Sequence, residues 1–171
     1  MPSSIIILTE YDMTLRNVLS SALSQNGHLV YSFRAGLEAI ECARLGLANL
    51  VILDGLAAAD GLAACARIRE LEGYAGIPIV LTTWNESAAF KRDAQRAGAS
   101  KLLFRPFSKN EFLESVHEFV AEQQEADAQL LGLLKHAVVW SRPRGPEWQD
   151  SPTSPLGRSR QYLELIRRLG L

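Results

Sequence analysis

Residues 49–61, with the sequence NLVILDGLAAADG, decide the fold. In this stretch a continuous apolar run ends abruptly on a carboxylate, Asp54. A short apolar run bounded by turn residues is typical of a strand buried on both faces, and such strands belong to parallel sheets covered by helices. Open α/β sheets bind ligands at the carboxyl ends of their strands. Asp54 is therefore a candidate site residue, although a turn or helix-capping aspartate explains this stretch alone equally well.

The composition favours an ordinary globular protein. The chain has 171 residues, 47% of them hydrophobic, which is enough for one domain with a core, alone or with an appendage. Its net charge of -1 gives no global field that would attract nucleic acid or an anionic membrane. The start of the chain, MPSSIIILTEYD, has no basic segment and no apolar run near the roughly 20 residues of a membrane span. We therefore expect a soluble, cytoplasmic protein without membrane contact.

Strand and helix patterns alternate along the chain. Apolar β-branched runs predict strands at 4–9, 28–33, 50–53, 77–83 and 101–104. Between them, apolar residues at helical spacing predict helices that start near Thr14, Gly36, Asp60 and Glu86, with Asp60 as a candidate N-cap. Five strands that alternate with helices through short connections predict an α/β protein with a doubly wound parallel sheet.

The C-terminal part of the chain divides into three predicted segments. Ser108 and Glu111 have the spacing of a capping box, and the helix that follows continues through strong helix formers to about Lys135. We predict a domain at 1–120, a helical extension at 121–140, a Pro-rich linker at 141–156 and a short basic amphipathic helix at 157–171. The extension either covers the domain or pairs with a partner helix.

Taken together, these features resemble the receiver domain of two-component response regulators. The resemblance covers residues 4 to about 120 and rests on the acids after the first strand, Asp54 after the third, Thr83 closing the fourth and Arg105-Pro106-Phe107 after the fifth. Arg16, Asp60-Gly61 and Ala97-Gly98-Ala99 match as well. The resemblance implies a flavodoxin-like, CheY-like sheet of five parallel strands with an extended C-terminal helix and tail.

The same resemblance implies a role for each site residue. Asp54 would accept the phosphoryl group, and Glu10, Asp12 and Asp54 would hold Mg²⁺. Thr83 would hydrogen-bond a phosphoryl oxygen, and Arg105 would supply the cation. A carboxylate that attacks phosphorus needs such a set, because negative charge gathers on the transferring oxygens. The donor would be a histidine kinase, a histidine phosphotransfer protein or a small acyl phosphate, and no enzymatic activity beyond phosphoryl transfer to Asp54 is expected.

Several residues depart from the family pattern at or near the predicted phosphorylation site. Tyr11 stands where the family has the second of two adjacent acids, and Asp12 is its candidate substitute. Losing a charged oxygen weakens the binding of Mg²⁺. Arg105 replaces a lysine, Trp84 replaces a small residue and is large enough to cover the pocket, and Leu102 replaces an aromatic ring.

Two functions are open at this stage. The first is a phosphorylation-dependent signalling receiver, and the second is a pseudo-receiver that acts as an interaction module without phosphate on Asp54. An independent flavodoxin-like enzyme or nucleotide binder is disfavoured, because no Gly-rich phosphate loop follows the first strand.

The cysteines, Cys42 and Cys65, are expected to be reduced core residues. The histidines, His28, His117 and His136, are expected to face solvent.

We expect the output to be a protein–protein contact through residues 108–135 and the tail, with a downstream protein or a second copy of the chain. Direct binding of nucleic acid is not expected, because the segment after residue 120 is too short and too Pro-rich for a helix-turn-helix domain.

Overall fold

A computed structural model describes residues 4–46, 48–55 and 58–140 of the chain. The described residues form five strands and five helices in strict alternation. They are β1 (Ile5–Thr9), α1 (Met13–Gln25), β2 (Leu29–Phe33), α2 (Gly36–Ala43), β3 (Leu50–Asp54), α3 (Ala58–Arg69), β4 (Ile79–Thr83), α4 (Ala88–Arg96), β5 (Lys101–Phe104) and α5 (Lys109–Trp140). The predicted linker at 141–156 and the basic helix at 157–171 lie outside the described residues.

The strands form one parallel sheet in the order β2-β1-β3-β4-β5. This confirms the predicted doubly wound α/β fold. The chain runs outward in one direction from β1 to β2 and in the other from β3 to β5, so the strand order reverses between β1 and β3. In such sheets a crevice opens outside the carboxyl ends of the strands at this switch point. Asp54, the last residue of β3, lies at this point.

Alternation along the central strands divides the core into two clusters, one on each face of the sheet. Every residue of β3 and β4 is buried, as expected for strands covered on both sides. One cluster packs side chains such as Val51 and Leu53 against α2, α3 and α4. The other packs Leu50 and Ile52 against α1 and the first turns of α5, including Phe112. Packing on both faces holds the strands in place, and the site residues meet at the carboxyl ends of these strands.

The prediction for the cysteines is confirmed for Cys65. Its side chain is fully buried, its Sγ donates to the carbonyl of Ala97 at 3.3 Å, and burial raises the pKa of the thiol to about 11. The thiol therefore stays protonated at neutral pH and serves as a core group. Cys42 is also free and is partly buried.

Several element boundaries differ from the sequence prediction. α3 begins at Ala58, so Asp60 lies in the first turn, where a carboxylate is favourable near the positive end of the helix, and not at the N-cap. β4 begins at Ile79, two residues later than predicted. α4 begins at Ala88, two residues after the predicted start near Glu86. α5 starts with the predicted Ser108–Glu111 capping box and continues to Trp140, the last residue of the predicted helical extension at 121–140.

The first compact unit of the chain ends at Ala126, inside α5. The division at residue 120 stays a prediction. Among the described residues, no helix combines the length and the hydropathy needed to cross a bilayer.

Candidate functional site

The carboxyl-terminal edge of the sheet brings together polar side chains from four segments of the chain. Glu10 follows β1, Asp54 ends β3, Thr82 lies near the end of β4 and Arg105 follows β5. All four are buried, with exposed fractions of 1% for Glu10, 8% for Asp54, 2% for Thr82 and 8% for Arg105. Charged groups at such depth require partners. The contacts among them therefore define the electrostatics of the site.

Arg105 occupies the centre of this group. Its Nη2 donates to Oε2 of Glu10 and to Oγ1 of Thr82, the latter at 2.8 Å, and lies 3.5 Å from Oδ1 of Asp54. One guanidinium thus contacts both buried carboxylates. Its Nε is buried and has no hydrogen-bond partner within the described part of the chain.

Asp54 is oriented by the strand next to it. Its backbone N–H donates to Oγ1 of Thr9 at 2.8 Å, and its Oδ2 accepts from the backbone N–H of Tyr11 at 3.2 Å. The first turn of α3 packs tightly against it, because a Cβ added at Gly61 would lie 2.4 Å from the carbonyl oxygen of Asp54. A glycine is therefore required at position 61 for this approach.

The structure places Asp12 in a different role from the predicted metal ligand. Its Oδ1 accepts from the backbone N–H of Leu15 at 2.8 Å, so the carboxylate is the N-cap of α1. Across the ranges 4–46, 48–55 and 58–140, no three His, Cys, Asp or Glu side chains form a group that could hold a metal ion. The predicted set of Glu10, Asp12 and Asp54 is thus not assembled as metal ligands, and the residues present fit Mg²⁺ poorly.

Arg16 hydrogen-bonds the backbone of the β1–α1 loop. Its Nη1 donates to the backbone carbonyl of Glu10 at 2.7 Å, and the carbonyl of Tyr11 lies 3.4 Å away. The sequence singled out Arg16 only as a matching feature. The hydrogen bond from Arg16 fixes the backbone of the loop that carries Glu10 and Asp12.

Tyr11 is exposed and pairs with Arg34, a residue that the sequence pattern did not single out. Its side chain is 62% exposed, and its hydroxyl accepts from Nη2 of Arg34 at 2.5 Å. The Arg34 guanidinium also lies 4.3 Å from the centre of the Tyr11 ring, a cation–π contact. Arg34 follows β2, which is paired with β1, so only the strand order brings the two residues together.

A cavity of about 380 Å³ opens beside Asp54. Its walls come from the ends of β1 and β3 and from the first turns of α2 and α3, and the lining residues are Thr9, Tyr11, Arg34, Ala35, Gly36, Asp54, Asp60 and Gly61. Trp84 is absent from this lining and is 56% exposed. The expectation that Trp84 covers the pocket is therefore not met in the structure.

The two threonines that end β4 play different parts. Thr83, the predicted phosphoryl contact, is 1% exposed, and its Oγ1 accepts from the backbone N–H of Asn85 at 3.0 Å. Thr82 instead binds Arg105. Successive side chains of a strand face opposite sides of the sheet, so only one of the two threonines reaches Arg105 from its face.

Comparison with known proteins identifies the class to which this architecture belongs. The family model of the response regulator receiver domain matches residues 6–117. The chain belongs to this family, as the sequence pattern had indicated. The transcriptional regulatory protein GltR of Pseudomonas aeruginosa is 30% identical over 120 residues, which are 70% of this chain and 50% of GltR. The chain spans about half the length of the curated relatives it matches.

Solved structures agree on the fold. The chemotaxis protein CheY4 of Vibrio cholerae superimposes with a TM-score of 0.65 at 21% identity, covering 69% of this chain and 99% of CheY4. The receiver domain of a sensor histidine kinase from Pseudomonas aeruginosa superimposes with a TM-score of 0.62 at 22% identity, covering 70% and 99% of the two chains. That structure holds a magnesium ion coordinated in its active-site cleft.

Proposed function

We propose that this protein is a receiver in two-component signalling that accepts a phosphoryl group on Asp54. The observation that carries the proposal is the position of Asp54. Its carboxylate ends β3 at the sheet edge, lines the 380 Å³ cavity and has the Arg105 guanidinium at 3.5 Å. A nucleophilic carboxylate, space for a phosphoryl group and an adjacent cation are what acyl-phosphate formation needs.

The proposed reaction transfers a phosphoryl group to one carboxylate oxygen of Asp54. That oxygen forms a new P–O bond, and the bond from phosphorus to the donor breaks. This is a P–N bond in a phosphohistidine and a P–O bond in an acyl phosphate, and the donor leaves with the bonding electron pair. Arg105 offsets negative charge on the transferring oxygens, and Thr83 donates its hydroxyl hydrogen to one of them. The donor would be a histidine kinase, a phosphotransfer protein or a small acyl phosphate.

Participation of Mg²⁺ stays a prediction. It is supported by the magnesium ion in the related kinase receiver domain. In this chain Glu10 and Asp54 are already in contact with Arg105, and Asp12 caps α1. No step of the proposed reaction is therefore assigned to a metal.

The output is proposed to be a protein contact made by α5 and the segment after it, with a downstream protein or a second copy of the chain, in the cytoplasm. Several relatives are named as transcriptional regulators, so the expectation that nucleic acid is not bound also stays untested. Comparing the sedimentation of the full chain with that of a chain ending at Ala126 tests the contact with a second copy. A monomer's mass for the full chain would argue against a homodimer, and dimers of both chains would show that the contact lies outside the removed segment.

Intact-mass spectrometry after incubation with acetyl phosphate tests phosphorylation, with Asp54→Asn as the control. We expect one phosphoryl group on the parent chain and none on the variant. An unmodified parent chain, with and without Mg²⁺, would contradict the proposal.

One observation favours a second candidate function, the pseudo-receiver. Arg105 already pairs with both buried acids without any added ion. If the protein is a pseudo-receiver, the parent chain and the Asp54→Asn variant should bind the partner with equal affinity. If it is a phosphorylation-dependent receiver, the two affinities should differ.

A further inference from the structure

A phosphoryl group on Asp54 would create a charge imbalance that Arg105 alone does not correct. The group would place roughly two negative charges at Asp54. Glu10 and Asp60 add two carboxylates close by, one bonded to Arg105 and one lining the cavity. Receivers of the usual pattern correct such an imbalance with a divalent ion, but here the acids needed to hold one are not assembled. Another source of positive charge is required.

Arg34 is placed to supply that charge. It lines the same cavity as Asp54, and no carboxylate within the described residues forms an ion pair with its guanidinium. By contrast, Arg105 is already paired with Glu10. Arg34 is therefore a cation beside the acceptor that has not been neutralised.

The position of Arg34 is set by contacts with two residues, Tyr11 and Glu38. Tyr11 receives a hydrogen bond from Nη2 and stacks its ring under the guanidinium. At the other end of the residue, the backbone N–H of Arg34 donates to Oε2 of Glu38 at 3.2 Å, which ties it to the first turn of α2. The backbone N–H of Tyr11 in turn donates to Oδ2 of Asp54. Tyr11 thus contacts both Asp54, the proposed phosphoryl acceptor, and Arg34.

We infer that Arg34, positioned by Tyr11 at the cavity beside Asp54, is the cation that this site presents to a phosphoryl oxygen in place of a divalent metal ion. The inference rests on the proposed function and extends it. It also assigns a role to Tyr11, which stands where the family has a metal-binding acid. The Tyr11 side chain positions Arg34. A guanidinium has a planar array of donors that suits phosphoryl oxygens and can bond two of them at once.

In the reaction with acetyl phosphate, the atoms balance without a metal. An oxygen of Asp54 forms the P–O bond, the P–O bond to the acetyl group breaks, and acetate leaves with the electron pair. Arg105 and Arg34 bond to the phosphoryl oxygens and transfer no proton. Arg34 is thus a binding residue for the phosphoryl group, and Tyr11 is a positioning residue.

Two measurements in the presence of EDTA test the inference on the full chain. The first follows inorganic phosphate binding through the backbone amide NMR signals, and the second follows the acetyl phosphate adduct by intact mass. Arg34→Gln is expected to weaken phosphate binding about tenfold or more, the loss of one charge-assisted contact, and to slow adduct formation similarly. Arg34→Lys should recover part of both effects, and Tyr11→Phe should give a smaller loss than Arg34→Gln.

Arg44→Gln is the matched control, because it removes the same charge from an exposed arginine just after α2 that is paired with Glu41. Adduct formation that requires Mg²⁺ and proceeds equally in Arg34→Gln would overturn the inference and leave the proposed function intact. Phosphate binding that depends on Arg34 without any adduct on Asp54 would support the anion site while contradicting the proposed function. Phosphate binding that is absent, or equal in Arg34→Gln and Arg44→Gln, would overturn the inference.

Discussion

Nη2 of Arg105 donates a hydrogen bond to the carboxylate of Glu10, although the two residues stand 95 positions apart in the chain. Their side chains are only 6% and 1% exposed, so the pair lies out of reach of solvent. It connects the segment after β5 to the segment after β1, at the sheet edge that carries Asp54. Because a buried charge that loses its partner stays desolvated, this contact makes the site and the stability of the fold interdependent.

Arg105→Ala is therefore expected to lower the free energy of unfolding by about 3–5 kcal/mol, since it leaves Glu10 buried and unpaired. Urea denaturation followed by circular dichroism measures the change. Arg96→Ala is the control, because it breaks an exposed ion pair with Asp93, and its cost should stay within about 1 kcal/mol. Adding Glu10→Gln to Arg105→Ala should recover part of the loss. Equal costs for Arg105→Ala and Arg96→Ala would show that the buried pair is not the main contact of Arg105.

Asp12 gives a second prediction that separates capping from metal binding. Asp12→Ala should destabilise the protein by about 1 kcal/mol because the backbone N–H of Leu15 loses its acceptor. Asp12→Asn keeps a capping oxygen and removes the charge, so it should retain most of that stability. If both variants kept full stability and lost affinity for Mg²⁺, Asp12 would be a metal ligand and not a cap.

Periodicity in the sequence was enough to predict the fold. The apolar runs around Val51 and Val80 are continuous because both faces of the sheet are covered, and the Ser108–Glu111 box marks the start of α5. These signals are local, so they are visible before folding.

The site was predicted only in part. The acids Glu10 and Asp54 and the cation Arg105 were found because each follows a predicted strand. Arg34 and Thr82 were missed, since their contacts depend on which strands become neighbours and on which face of β4 a side chain lies. The capping role of Asp12 had a local signal, an acid just before a helix, which the search for metal ligands obscured.

A pair of glycines allows a matched test of the turn between α4 and β5. Gly27 and Gly98 both have φ of +86°, but a Cβ at Gly27 meets nothing within 4 Å, whereas one at Gly98 lies 3.0 Å from Cγ and Nε of Arg69. That arginine cannot move freely, because its guanidinium donates to the carbonyls of Tyr74, Ile77 and Gly98. It joins the end of α3 to both neighbouring turns.

Gly27→Ala should cost about 1–2 kcal/mol of unfolding free energy, the penalty for a side chain in the left-handed region. Gly98→Ala should cost more, because it also displaces Arg69 from its carbonyl partners. Urea denaturation of both variants, alone and with Arg69→Ala, measures the difference. The difference should shrink in the Arg69→Ala background, which lacks the Cγ and Nε atoms, and an undiminished difference would mean that the contact with Arg69 is not its cause.

His28 predicts how stability depends on pH. A solvent-facing side chain was predicted from the sequence, but both ring nitrogens are buried and have no hydrogen-bond partner among the described residues. The ring lies 6.2 Å from that of His117, measured between centroids. Burial, and to a smaller extent the charge of His117, lower the pKa of His28 from its usual value of 6.5.

Since the unfolded chain keeps the usual pKa, it binds the proton of His28 at a higher pH than the folded protein does. The stabilising contribution of neutral His28 is thus complete above pH 6.5 and is lost as the pH falls towards the lowered pKa of the folded state. Unfolding free energies at about pH 7.5 and about pH 5 should differ less in His28→Asn than in the parent chain. His117→Gln should reduce the difference only in part, because burial is the larger cause. A pH dependence equal in His28→Asn and the parent chain would assign the effect to other groups.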